Sequence, residues 1–268
     1  IFAAVLLLCI IEPVFAGEIV AWGSNSNGQC TVPAGNNFVA VAGGYYHSLA
    51  LRSDGSLAAW GWCYLGQCNV PTGNDFVAVD GGNAHSLALR SDGSVVAWGY
   101  NRDGQCNVPT GNDFVAVAAG ESHSLALRSN GSVVAWGYNY YGQCNVPVGN
   151  DFVAVAGGAL HSLAIKSDGS LVAWGLNGNG QCTVPAGNDF VAVAGGTFHS
   201  LALRSDGSLV AWGYNRDGQC NVPAGNDFVA VAAGGVHSLA LRSNGSVVAW
   251  GYNRYGQCNV PVGNDFVA

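Results

Sequence analysis

The chain has no methionine, one lysine (Lys166) and three glutamates, and charged residues fill only 9% of its 268 positions. The residue types that favour long helices are therefore scarce, and no window carries a helical apolar period. That excludes the helical repeat arrays, tetratricopeptide and ankyrin included. Basic runs are missing too: the net charge is −7, and nothing is spaced to neutralise nucleic-acid phosphates. The longest apolar run, Phe2 to Ile11, is too short to span a bilayer. Disorder is excluded in turn, because Val, Leu, Phe and Trp return at regular places among the 40 glycines.

What the chain does have is a period. Gly-Gly-Tyr-Tyr-His-Ser-Leu-Ala-Leu at 43–51 returns every 38 residues as a His-Ser-Leu-Ala phrase, with histidines at His47, His85, His123, His161, His199 and His237. Trp-Gly keeps the same spacing at Trp22, Trp60, Trp98, Trp136, Trp174, Trp212 and Trp250. Gly-Gln-Cys does so at Cys30, Cys68, Cys106, Cys144, Cys182, Cys220 and Cys258. A fixed period in this range decides the architecture before any motif is read.

Within one unit, Phe114–Ala118, His123–Arg128 and Val133–Trp136 have strand chemistry and are bounded by Gly, Ser and Asn. Asp-Gly or Asn-Gly joins the second run to the third, which predicts a tight type I′ hairpin turn. In the middle strand Leu125 and Leu127 face one way, Ser124 and Ala126 the other. One face is large, one small and neither is charged, so the sheet needs neighbours on both sides. Small sheets arranged radially meet that need, which predicts an all-β chain folded as a β-propeller, seven-bladed in plan with the last blade incomplete. A β-solenoid, the rival, lacks a hairpin in every repeat. The strand directions put the pair before each histidine and the segment after each Trp-Gly on one face, the top.

Those two places are where the repeats disagree. Residues 100–154 and 214–268 differ at only four positions, Thr110/Ala224, Glu121/Gly235, Ser122/Val236 and Tyr140/Arg254, and three of the four lie there. Selection for binding and simple drift both produce such a pattern. His-Ser, by contrast, occurs six times in one setting. An active site needs a single copy with an orienting acid and an oxyanion hole, so the imidazoles are expected to satisfy backbone groups. The repeat cysteines are expected to be buried free thiols acting as apolar filler, and no metal or other cofactor site is expected. Cys63 has no counterpart in other repeats, and its spacing leaves a local Cys63–Cys68 bridge open. The sequons Asn130-Gly131-Ser132 and Asn244-Gly245-Ser246 are explained by turn chemistry without glycosylation.

Residues 1–16 read as a secretory signal peptide truncated at its start, ending at Val14-Phe15-Ala16. Residues 17–268 then form one secreted or cell-surface domain, expected to be a fragment at both ends. Seven units of 38 require 266 residues and Ile19 to Ala268 supplies 250, so the last blade lacks 16. Ile19–Trp22 is expected to complete it only where those residues exist.

The stretch GYNRDGQCNVP…VAVAAGESHSLALRSNGSVVAWG resembles the regulator of chromosome condensation repeat, and the likeness covers nearly everything after Gly17. It implies a seven-bladed propeller. The nuclear founder is a nucleotide exchange factor that binds chromatin, but its repeats are longer and it carries no leader, which leaves that role, or an enzyme, a remote alternative here. The short repeats, with Ala-Trp-Gly, Gly-Gln-x-x-Val-Pro and Ser-Leu-Ala-Leu, are more similar to the secreted type II β-lactamase-inhibitor propellers. That resemblance implies a non-catalytic, monomeric protein gripping a protein partner, an acyl-serine enzyme among the options, through aromatic top-face loops. Carried over by position, the binding residues are Tyr45, Tyr46, Phe198 and Leu160, with Trp62, Tyr64, Tyr140, Tyr141 and Tyr255 after Trp-Gly. The matching positions Asn83, Ala84, Glu121, Ser122, Gly235 and Val236 are not aromatic. The alternative function is a passive structural module of a larger surface protein.

Overall fold

The structure is a computed structural model and describes residues 17–267. From Phe38 to Gly251 each repeat forms one three-stranded antiparallel sheet. The first comprises β1 (Phe38–Gly43), β2 (His47–Arg52) and β3 (Leu57–Gly61). The pattern recurs at 76–99, 114–137, 152–175, 190–213 and 228–251, giving six blades of a β-propeller with no helix among the described residues. The strands of the third blade, Phe114–Ala119, His123–Arg128 and Val133–Gly137, match those read from the sequence to within one residue at each end. The leader expected over residues 1–16 lies outside the described residues.

The two unlike faces of the middle strand explain the radial stacking. Leu49 and Leu51 of blade one pack on Phe76, Val79 and Ala88 of blade two. Leu125 and Leu127 of blade three pack in the same way on Phe152, Ala164 and Trp174 of blade four. The leucine face of each middle strand thus meets the alanine of the next middle strand, flanked by larger side chains of its neighbours, and Leu49, Leu87, Leu125, Leu163 and Leu201 are completely buried. Each such side chain contributes about 2 kcal/mol of apolar burial. First strands of successive blades pack closely on one another and third strands do so far less, so β1 and its counterparts lie nearest the axis.

The hairpin turn differs from the expected type I′. That turn needs positive φ at two consecutive residues, and among the described residues only glycines have positive φ. Gly55 N–H donates to Arg52 O at 2.9 Å, and Arg52 N–H donates to Ser56 O at 2.9 Å. Ser53-Asp54 therefore make a type I turn, and Gly55 (φ 78°) supplies the left-handed step that rejoins the strands. Asp54 Oδ1 accepts bonds from Ser56 N–H (2.9 Å) and Ser56 Oγ–H (2.7 Å). The second residue of the turn thus works as an Asx acceptor.

At this bottom rim the middle strand ends in a cation laid over the phenylalanine that begins the blade. Arg90 stands over Phe76 at 4.4 Å and Arg128 over Phe114 at 4.5 Å, each also paired with an aspartate, Asp75 or Asp113. Lys166 pairs with Asp151 at 3.2 Å. In blade one Asn37 takes the aspartate's place, and Arg52 turns to the Leu57 carbonyl instead.

The seventh position is marked by the N-terminal segment. In each blade the tryptophan Nε1–H donates to the glutamine carbonyl 31 residues earlier, as Trp98 does to Gln67 at 2.9 Å. Trp22 Nε1–H donates to Gln257 O at 3.1 Å, which is the same bond one repeat array away. Phe38 N–H reaches Gly17 O as Phe76 N–H reaches Gly55 O, so the repeat frame extends back to Gly17. Trp22 thus repeats the outer-strand bond at the seventh position, although Ile19–Trp22 is not paired as a strand among the described residues.

Candidate functional site

The His-Ser pairs hold the blades together. His47 Nε2 lies 2.9 Å from Ser86 Oγ in the next blade, and Ser86 Oγ–H donates to Gln67 O at 3.0 Å. With the serine proton committed to that carbonyl, the imidazole must be the donor. The pattern repeats from His85 to Ser124, His123 to Ser162, His161 to Ser200 and His199 to Ser238. The partner is a serine of the next blade, where backbone was expected. The same glutamine carbonyl also takes the tryptophan Nε1–H, so one oxygen joins two strands to the inter-blade link. Burial lowers the imidazoles to a pKa of about 3 at His85, His123 and His161 and about 4 at His47, His199 and His237. A Cβ on Gly120 would stand 2.0 Å from the His123 ring, which is why glycine precedes each pair. Every serine Oγ is engaged, so none of these pairs offers a nucleophile.

The link carrying that glutamine is also built from side chains. Asn101 Oδ1 accepts Cys106 N–H at 2.8 Å, and Gln105 Oε1 accepts Asp103 N–H at 3.0 Å. Cys106 Sγ sits 3.4 Å from Tyr100 O. The repeat cysteines are half-buried where full burial was expected. Burial still pushes the thiols of Cys106, Cys144, Cys182 and Cys220 up to about 11. Cys63 and Cys68 are joined as a disulfide with Cα atoms 5.2 Å apart. The bridge closes the base of the loop that presents Tyr64.

On the top face the two variable places meet. Trp62 N–H donates to Tyr46 O at 2.8 Å, and Tyr138 to Ser122, Leu176 to Leu160 and Tyr214 to Phe198 repeat the bond. In blade one this produces a continuous aromatic series. Tyr45 lies edge-on to Tyr46 at 4.4 Å, Tyr46 to Trp62 at 6.3 Å, and Trp62 packs on Tyr64 at 6.0 Å. All are separations at which ring pairs attract. Tyr64 remains 87% exposed at the tip. A second group on blade three joins Tyr140 and Tyr141 (5.0 Å) to Tyr138 at 6.5 Å, with Tyr140 79% exposed. Phe198 pairs with Tyr214 and Tyr255 with Tyr252, while half-buried Leu160 joins no ring group.

Sequence reasoning left out Tyr100, Tyr138, Tyr214 and Tyr252. The signal was present: tyrosine follows Trp-Gly in four of seven repeats. Such frequency reads as frame, whereas Tyr138, Tyr214 and Tyr252 each form one side of a ring group and Tyr100 lines a cleft.

Between these loops runs a cleft of about 160 Å³, lined by Tyr46, Trp62, Leu65 and Tyr100 with Glu121 and Ser122. Burial raises the Glu121 carboxyl above its usual range. Burial first, then Tyr46 and the negative charge of Glu121, raises the Tyr45 phenol. Asp80, alone of its position in carrying charge, accepts Gly81 and Ala119 N–H at 2.8 Å each and is raised to about 6 by burial. It ties blade two to blade three.

The model of the regulator of chromosome condensation (RCC1) repeat matches six times, at residues 38–67, 76–105, 114–143, 152–181, 190–219 and 228–257. Among solved structures, Prp20p from Saccharomyces cerevisiae, described with binding properties to Gsp1p and histones, superposes with a TM-score of 0.77 at 22% identity, covering 98% of this chain and 84% of that one. The ectodomain of the Physcomitrella patens receptor kinase CR4 gives 0.78 at 23% identity, covering 92% and 73%. The ectodomain of the Arabidopsis thaliana receptor kinase ACR4 gives 0.71 at 24%, covering 89% and 88%. At these identities the likeness concerns the fold. Comparison with curated proteins finds no significant match.

Proposed function

The chain belongs to the RCC1 repeat family, and from that premise we propose that it is a secreted, non-catalytic propeller that binds a protein partner through its top-face aromatic loops. The observation that carries this reading is the series Tyr45–Tyr46–Trp62–Tyr64, four rings each paired with the next and ending in an exposed tip. Tyrosine and tryptophan give large contact area with few rotors to immobilise, which is what interface anchors need. The disulfide under that loop stiffens the presentation and suits an oxidising compartment, as does the apolar leader pattern of residues 1–16. The acidic, weakly charged chain offers no basic stripe for nucleic acid. The similarity of the short repeats to the β-lactamase-inhibitor propellers makes acyl-serine enzymes the first partner class to try.

The test is binding of the full chain to a panel of secreted and periplasmic proteins, acyl-serine enzymes included, beside a Tyr45→Ala/Tyr46→Ala variant of equal thermal stability. Binding that the variant loses supports the top-face site. A well-folded propeller that binds nothing in the panel favours the passive module.

A further inference from the structure

The five ion pairs of the described residues lie at the bottom rim, where each aspartate meets the arginine or lysine ending a middle strand. Glu121 is in none of them. Its carboxylate accepts one long side-chain bond, from Asn83 Nδ2–H at 3.5 Å. Yet this carboxylate is partly withdrawn from water in a cleft that Tyr46, Trp62 and Tyr100 also line, with Leu65, Asn83, Ala84, Gln105 and Ser122 completing the wall. A carboxylate and several aromatic rings lining one small space make a receptor for a cation. The ring faces attract positive charge through their quadrupoles, the carboxylate attracts it directly, and partial burial weakens the competition from water. The frame does not require Glu121, because Gly235 fills the same place three repeats on within an otherwise near-identical block. The charge is therefore an addition to the blade rather than part of it.

Resting on the protein-binding reading above, we propose that this cleft receives one arginine side chain of the partner, its guanidinium stacked against the Trp62 and Tyr46 rings and paired with Glu121. Arginine fits better than lysine. Its planar, weakly hydrated head can stack on a ring and still present N–H groups edge-on to a carboxylate, whereas an ammonium is compact and strongly hydrated. The net charge of −7 adds long-range attraction for a basic partner surface.

The probes are N-butylguanidinium, the isosteric but neutral N-butylurea, and N-butylammonium, titrated into the full chain. The readout is the assigned indole N–H resonance of Trp62 in a proton–nitrogen NMR spectrum. The guanidinium is expected to shift that resonance saturably and to bind about tenfold more tightly than the urea. Glu121→Gln, which preserves shape, is expected to remove most of that preference while leaving the melting temperature unchanged. Raising the salt to 1 M is expected to weaken guanidinium but not urea binding. Equal binding of the guanidinium and the urea, no shift at Trp62, or a preference that survives Glu121→Gln each overturns the proposal. Tighter binding of the ammonium overturns the assignment to arginine. The two readings fail separately. A protein partner whose affinity ignores Glu121→Gln removes this inference and leaves the binding face, whereas guanidinium binding with no protein partner does the reverse.

Discussion

Acid should unfold this propeller well above the pH at which carboxylates titrate. The six buried histidines have folded pKa values of about 3 to 4, against about 6.5 in an unfolded chain. Because the folded values are lower, the unfolded state binds more protons as pH falls below about 6.5. Stability is therefore lost from there downward, until the folded imidazoles themselves titrate near pH 4 to 3. At pH 5.5 each unfolded histidine is roughly ten-elevenths protonated, which is worth about 1.4 kcal/mol, so six remove about 8 kcal/mol relative to pH 7.5. Asp80 works the other way. Its folded pKa of about 6 lies above the unfolded value of 3.8, so it returns about 1 kcal/mol over the same interval. The turn aspartates Asp54, Asp92, Asp168 and Asp206 are depressed below 3.8, chiefly by hydrogen bonds from Ser56, Ser94, Ser170 and Ser208, and act only at lower pH. A net loss of about 7 kcal/mol is comparable with the whole stability of a typical domain.

The assay is urea unfolding followed by tryptophan fluorescence and near-ultraviolet circular dichroism at half-unit steps from pH 7.5 to 5. Near pH 5 the slope should approach six protons taken up per molecule unfolded, less the opposing contribution of Asp80. Replacing one link, His123→Gln, should reduce that slope by about one proton. Stability that changes by less than about 2 kcal/mol between pH 7.5 and 5.5 refutes the claim that the ladder is neutral and buried. So does a slope that His123→Gln leaves untouched.

Ser124→Ala strands the His85 Nε2–H and should cost about 1–3 kcal/mol in urea unfolding. Ser48 holds the Gln29 carbonyl and has no histidine on it among the described residues, so Ser48→Ala should cost clearly less. Gly120→Ala puts a methyl 2.0 Å from the His123 ring and should cost about 3 kcal/mol, with loss of expression as the readout if the blade cannot yield. Arg128→Ala removes both the Phe114 stack and the Asp113 pair at a partly exposed rim, and about 1–2 kcal/mol is expected in the same unfolding experiment. The repeat thiols Cys106, Cys144, Cys182 and Cys220, raised to about 11, should react slowly with a disulfide reagent at pH 8 in the native protein and rapidly in urea. Rapid native labelling contradicts the burial that raises them.

Much of the fold was legible because the repeat averages away local ambiguity. Six copies of Leu-Ala-Leu or Leu-Ala-Ile between a histidine and a turn leave little doubt about strand, face and direction, and all six blades follow. Details that depend on a neighbouring blade were hidden. The sequence places His47 beside Ser48, but the bonded serine is Ser86, one residue more than a full repeat away. Adjacency in the chain suggested a pair that the geometry does not make. The turn was misjudged for a local reason: Asp-Gly suits type I′, but two residues precede the glycine here, and the longer loop takes type I with a single left-handed step. Among the site residues, the rings of blade one could be named, yet their contacts could not. Contact depends on the Trp62–Tyr46 backbone bond, which draws two loops together across the end of the blade.

That bond also shows how one frame can carry changing chemistry. The residue after Trp-Gly and the residue immediately before the histidine are held together by main chain alone, so their side chains are free to vary without loss of the blade. Trp62 with Tyr46, Leu176 with Leu160 and Tyr214 with Phe198 use the same two atoms. The repeat thus separates its tasks by position. Buried imidazole, serine and glutamine carbonyl hold blade to blade, the arginine rim closes the bottom, and the top keeps two adjoining places per blade whose content the fold does not dictate. An aromatic series in one blade and a half-buried carboxylate two blades on are departures that the frame permits and does not use. Such residues are where a ligand leaves its mark in a repeat protein, which is why the cleft joining Trp62 to Glu121 is the place to look for this one.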